Sequence, residues 1–107
     1  MSDGDWCWVA GTTGRDPDTG VMPDDVAEQT RNAFRIIDAA LDEAGFAMSD
    51  VVRATCYITS KRDFVRISPV MGEAFAGIRP AATCVVVAGL VSPEMKVEIE
   101  VTARKRR

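Results

Sequence analysis

Two glutamates on one face of an otherwise apolar strand are the residues best placed to do chemistry in this chain. From Lys96 to Ala103 the sequence alternates strictly. Val97, Ile99, Val101 and Ala103 fall on one face, and Lys96, Glu98, Glu100 and Thr102 fall on the other. A half-buried carboxylate with a raised pKa can serve as a general acid or base, or orient a water. Glu98 is the candidate for that work, and Glu100 reads as a structural partner. The competing reading of Glu98 is an ion pair with Arg53 or Arg79 across the sheet, and the residues alone leave the two open.

The other reactive side chains point away from several chemistries. There is no histidine, so Ser-His and Cys-His nucleophile pairs and the commonest general base are missing. Cys7, Cys56 and Cys84 lie on apolar, strand-like runs without metal-ligand spacing. They read as small buried hydrophobes, and no metal site is expected from them. Gly11-Thr12-Thr13-Gly14 can bring backbone and two hydroxyls close to a ligand, although a tight turn uses the same glycines. Trp6 and Trp8 read as packing or interface residues rather than as a stacking platform.

The whole chain sets the frame for these groups. Its 107 residues suit one domain spanning 1–107, with 47% hydrophobic and 27% charged residues. Net charge is −3, which argues against a broad nucleic-acid surface. The basic run Arg104-Lys105-Arg106-Arg107 reads as a solvated, frayed terminus. No apolar run approaches the ~20 residues of a membrane span. The acidic opening Met1 to Asp5 does not resemble a secretory leader, so a cytoplasmic location is expected.

The elements that must position the candidates are short. Trp6 to Ala10 is β-prone, and the Asp-Pro-Asp-Thr-Gly segment after it is a turn. A helix starts at Pro23 or Asp24, with Asp24, Asp25 and Glu28 in its first turn, where negative charge suits the helix dipole. Val26, Ala33, Phe34, Ile37, Ala40, Leu41 and Ala44 form its apolar face, and Gly45 stops it. Val51 to Thr59 alternates as a strand. Lys61 to Arg66 reads as a turn or a single helical turn. A second helix runs from Pro69 to about Phe75, with Ser68 as N-cap, because Pro69 inside a longer helix would cost roughly 3 kcal/mol. Ala82 to Ala88 and Lys96 to Ala103 are expected to form an antiparallel pair joined through Gly89 to Glu94. The fold class is α+β, a sheet with two helices on one face. The other face, carrying Val51, Thr55, Tyr57, Thr83, Val85 and Val87 or their alternates, is apolar enough to need a second subunit.

Several motifs together resemble the RidA family, also called YjgF or L-PSP. They are Pro80-Ala81 leading into Thr83-Cys84-Val85, and Val97-Glu98-Ile99-Glu100. Supporting matches are Gly11, Thr19-Gly20-Val21, Gln29 and Asp63-Phe64. The resemblance spans nearly the whole chain and implies a chorismate-mutase-like fold and a homotrimer with small-molecule clefts between subunits. It also implies hydrolysis of imines or enamines to 2-oxo acids without a cofactor. Within such a cleft it places Glu98 as the water-orienting acid or base. In that cleft Gly11 and Cys84 would act through backbone groups, and Thr12, Thr13, Arg79, Ala82 and Thr83 are the further candidates around the substrate. Two departures stand out. Deaminase members of the family carry an arginine directly after the Pro-Ala pair, where it clamps the substrate carboxylate; here that position is Ala82. The family's N-terminal strand, with a tyrosine bordering the cleft, is here absent or reduced to Met1 to Asp5. Arg79 is the one basic residue near Ala82, and it reads either as a partial substitute or as a surface residue capping the second helix. The expected function is therefore binding, or altered hydrolysis, of a small carbonyl or imine compound rather than standard 2-iminobutanoate or 2-aminoacrylate deamination. The alternatives are an L-PSP-type endoribonuclease or translation inhibitor, which acidic charge and the lack of histidine disfavour, and a non-catalytic protein-interacting trimer.

Overall fold

The structure, a computed structural model, describes residues 1–105. Its long elements follow the sequence in order. They are β1 (Ser2–Asp3), β2 (Trp6–Thr13), α1 (Val26–Glu43), β3 (Val51–Ile58), α2 (Phe64–Ala74), β4 (Ala81–Val86) and β5 (Val97–Arg104). The five strands form one mixed sheet in the order β1-β2-β5-β3-β4. The two helices pack on one face of it, as the alternating strands require. Val97, Ile99, Val101 and Ala103 of β5 are all buried beneath α1 and α2. The helices answer with Val26, Ala33, Phe34, Ile37 and Leu41 from α1 and with Ile67 and Val70 from α2. Asp25 caps α1 by accepting from the Ala27 N–H, and Gly45 follows with φ +85°, the left-handed turn that ends the helix.

The expected antiparallel pair of β4 with β5 does not form. β5 inserts between β2 and β3, antiparallel to both, and β4 lies parallel to β3 at the sheet edge. The connection through Gly89 to Glu94 is consequently not a hairpin. It carries the chain past β3, because α2 delivers β4 to the far side of that strand. The second helix also begins earlier than Pro69. It starts at Phe64, directly after a 3-10 turn at Lys61–Asp63, and holds Pro69 inside it. Pro69 removes the donor that would meet the Val65 carbonyl. Both residues lie on the exposed side, where water can serve that carbonyl, while Ile67 and Val70 anchor the opposite side in the core.

Val51 belongs to the core and not to the bare face, because a register irregularity between Val51 and Arg53 turns it inward. The bare face is more polar than the sequence suggested. Its cross-strand rows are Trp8–Thr102–Arg53–Ala81, then Glu100–Thr55–Thr83, then Thr13–Glu98–Tyr57–Val85. Trp6 and Trp8 stack on each other there, 6.1 Å between ring centroids, at 39% and 40% exposure. The start of the basic run is engaged rather than frayed. Arg104 lies over the Trp6 ring, and Lys105 donates to the Gly45 carbonyl beside Phe46. Arg106 and Arg107 lie outside the described residues.

One buried side chain ties the loops to the helical layer. Gln29 is 0% exposed. Its Nε2 donates to the carbonyls of Pro23 (2.7 Å) and Glu94 (2.9 Å), and its Oε1 accepts from the Lys96 N–H (2.9 Å). Each such bond contributes about 1 kcal/mol net, and the buried partners cost more when abandoned. Gln29→Ala is therefore expected to lower the unfolding free energy by about 3 kcal/mol in urea titrations at fixed protein concentration. A loss below about 1 kcal/mol, within the range of one ordinary hydrogen bond, would show that the loops are held some other way.

Candidate functional site

The structure divides the sequence-predicted site residues into two groups on different parts of the sheet. The first lies where β2 meets β5. The register of β2 against β5 shifts between Val9 and Thr12, so Gly11 sits in a bulge. The Glu98 side chain lies directly over it. A Cβ added at Gly11 would stand 2.5 Å from Glu98 Oε2 and 2.8 Å from its Cδ. Glycine is needed at this point so that the carboxylate can lie down on the backbone. Thr13 is the cross-strand partner of Glu98, and the Thr12 hydroxyl donates to the Ala10 carbonyl (2.9 Å), which helps shape the bulge. Neither Arg53 nor Arg79 forms an ion pair with Glu98 among the described residues, and no hydrogen bond engages its carboxylate.

The second group lies at the open edge of β4. Arg79, Ala82, Thr83 and Cys84 line a cleft of about 570 Å³ whose opposite wall is Phe64 and Met71 of α2 with its C-cap Phe75. Arg79 sits just past the helix with φ +52°, and its N–H reaches the Phe75 carbonyl (3.4 Å), so its backbone does close the helix end. Arg79 also lines the cleft, where it is the one formally charged residue on the lining. The Val87 N–H donates to the Ile58 carbonyl of β3 (2.8 Å). N–H directions alternate along a strand, so those of Ala82 and Cys84 turn to the open edge, without a strand partner. The Cys84 N–H is thus a backbone donor left open at the sheet edge.

Glu98 and this cleft do not meet within one chain. Glu98 is on the bare face of β5, two strands from β4, whereas Ala82 and Cys84 align with the inward-facing Ala54 and Cys56 on the helix side. Bringing the two groups together takes a second copy of the chain.

Tyr57 was not legible as a site residue. It is the cross-strand partner of Glu98, yet its hydroxyl donates diagonally to Glu100 Oε1 at 2.5 Å. That hydrogen bond, followed by partial desolvation and the charges of Glu100 and Glu98, pushes the Tyr57 hydroxyl above its ordinary range. The only sequence signal was the alternation of β3 and β5, which cannot by itself give the register between them. Glu100 also borders a groove of about 440 Å³ on the bare face, with Arg53, Thr55, Thr102, Trp8 and Met1. Three or more Cys, Asp or Glu side chains grouped as metal ligands do not occur among the described residues.

Tyr57 is the only tyrosine in the chain, so its titration can be followed without ambiguity. Tyrosinate absorbance is expected to rise at higher pH than for an ordinary tyrosine (about pH 10), and Glu100→Ala should bring the midpoint back down. Because the folded value is raised, the associated stability is complete below the ordinary tyrosine value. It is lost as pH climbs through the folded one. Identical midpoints in the two proteins would mean that the Tyr57–Glu100 contact does not hold in solution.

Comparisons with known proteins bear on this arrangement. The family model described as Endoribonuclease L-PSP matches residues 1–105. The 2-iminobutanoate/2-iminopropanoate deaminase of Escherichia coli K12 is 33% identical over 93 residues, 84% of this chain and 72% of that protein. A crystal structure from Mycobacterium tuberculosis, a member of the YjgF/YER057c/UK114 family, superposes with TM-score 0.88 at 39% identity, covering 97% of this chain and 82% of that one. Escherichia coli TdcF with bound serine superposes with TM-score 0.92 at 30% identity, covering 99% and 85%. Sequence and fold agree over nearly the full length, and the chain belongs to the RidA/YjgF family, whose model carries the description endoribonuclease L-PSP.

Proposed function

We propose that this protein is a cytoplasmic homotrimer that binds a small, neutral carbonyl or imine compound in clefts between subunits. The observation that carries the reading is the separation of Glu98 on Gly11 from the β4-edge cleft, two halves that one chain cannot join. Joined across an interface, they form a workable hydrolytic site. The outward N–H groups of β4 hold the oxygen or nitrogen of the ligand, and Glu98 takes a proton from a water attacking the imine carbon and passes it to the nitrogen, which takes the C=N electron pair; the C–N bond of the resulting carbinolamine then breaks, ammonia leaving as the hydroxyl becomes the carbonyl. The Phe64, Met71 and Phe75 wall favours an apolar substituent. Ala82 supplies no fork for a carboxylate, so the standard 2-imino acid substrates are poor fits.

The trimer is tested by sedimentation, where a stable soluble monomer at micromolar concentration would refute it. For the chemistry, an amino-acid dehydratase would generate the imine, with semicarbazide trapping what is not hydrolysed. Wild type is expected near background. Losing a charge-assisted hydrogen bond worth on the order of 1.5–3 kcal/mol in the transition state costs roughly ten- to more than a hundred-fold in rate. Ala82→Arg should recover part of that rate, and adding Glu98→Ala should remove it again. Wild-type turnover equal to that of an arginine-bearing relative would sink the reading, and Arg79→Ala would then show whether Arg79 is the clamp. RNA cleavage that co-purifies with the protein and vanishes in Glu98→Ala would favour the ribonuclease reading instead.

A further inference from the structure

Two of the three cysteines are brought side by side by a feature that the proposed ligand chemistry does not use. Cys56 and Cys84 are register partners on the parallel strands β3 and β4, and both side chains point toward the helix layer. Aligned residues on neighbouring strands lie about 4.7–4.9 Å apart, inside the ~4.4–6.8 Å range of Cα separations that a disulfide spans. All three cysteines are free thiols. Cys7 is on β2, separated from Cys56 by β5, and cannot compete as a partner.

We propose that Cys56 and Cys84 are a peroxide-sensitive dithiol that closes to a cross-strand disulfide in the wall of the β4-edge cleft. Access distinguishes their roles. Cys84 is half-buried and lines the cleft, whereas Cys56 is 0% exposed behind it. Hydrogen peroxide entering the cleft therefore meets Cys84 first. The Cys84 thiolate attacks the peroxide, the O–O bond breaks, and Cys84 becomes a sulfenic acid while hydroxide leaves and is protonated to water. The Cys56 sulfur then attacks the Cys84 sulfur, the S–O bond breaks, and the Cys56 proton leaves with the hydroxyl as a second water. Overall, two thiols and one peroxide give one disulfide and two waters.

The surroundings favour this order. Burial pushes the Cys56 thiol up, and the neighbouring Cys84 adds to the push, so Cys56 is the poorer first nucleophile. The bond would also draw the Cys84 sulfur back toward β3, removing a thiol from the cleft lining.

The test treats the native, full-length protein with hydrogen peroxide, blocks remaining thiols under denaturing conditions and maps peptides by mass. Wild type should lose two hydrogens and yield a reducible peptide linking Cys56 with Cys84, with Cys7 recovered as a thiol. Cys56→Ala cannot form that bond, so dimedone should label the Cys84 sulfenic acid several-fold more than in wild type. Cys7→Ala should behave as wild type, which controls for substitution of a buried cysteine. Three results would overturn the proposal. They are peroxide leaving Cys84 unmodified, wild-type Cys84 advancing to sulfinic acid without the linked peptide, and dimedone labelling that is equal in wild type and Cys56→Ala.

Discussion

The Gln29 amide and the glycine packed against it fix the geometry from which everything else follows. A Cβ at Gly14 would overlap the backbone of Gln29, so the end of β2 lies in direct contact with α1. Asn32, one turn further along, donates to the Gly14 carbonyl (3.1 Å). The same turn of helix grips the segment entering α1 at Pro23 and the segment entering β5 at Glu94 and Lys96. Two strand ends distant in sequence are thereby held at one level. Those ends carry Gly11 and Thr13 on one side and Glu98 on the other, and their alignment lets the carboxylate lie on the glycine. A buried amide that uses both its donors and its acceptor is a demanding device. Every missing partner would cost desolvation, so the loops have few alternative positions.

Sheet order then decides how a ligand can be bound. Had β4 paired with β5, Glu98 and Cys84 would be on neighbouring strands. With β3 between them, and with Ala82 and Cys84 turned to the opposite face, the Glu98 carboxylate and the β4-edge cleft stay apart within one chain. An exposed β4 edge and a bare face carrying the Trp6–Trp8 stack are the surfaces that a second copy would cover. If the two halves work together as proposed, function depends on assembly more directly than in an enzyme whose pocket is internal.

Much of this was legible in the residues, for identifiable reasons. The strict alternation of Val97 to Ala103 against Glu98 to Thr102 could only be a half-buried strand, and the buried face is the one it named. The α1 stripe and its Gly45 stop were equally clear. What failed was non-local. Propensity says nothing about which strands are neighbours, so β5 was paired with the strand before it in sequence. Pro69 misled because its cost falls when the orphaned carbonyl is solvated, and burial cannot be read from a short segment. The Val51 inward turn comes from one irregularity in register, and a single such step moves a side chain to the other face. At the candidate site, Glu98 stood out because it broke an apolar pattern. Tyr57 did not, because a tyrosine in a strand is unremarkable until its partner is known.

The substitution at Ala82 can be weighed physically without knowing the ligand. An arginine there would bring a permanent charge to a cleft whose far wall is aromatic and aliphatic. Desolvating that charge is tolerable when a carboxylate arrives to share it, and costly when the bound molecule is neutral. Alanine adds no such cost, and the cleft is left with the single charge of Arg79, apolar surface and backbone N–H groups. Such groups stabilise a developing partial charge on oxygen or nitrogen and barely discriminate a distant carboxylate. Arg79 does not restore the missing contact by default. It begins three residues upstream on a backbone held by the helix end, about 10 Å away along an extended chain. One side chain at position 82 can thus change which ligand charge a cleft of this kind tolerates, while the Glu98 carboxylate lies on Gly11 two strands away and is untouched by it.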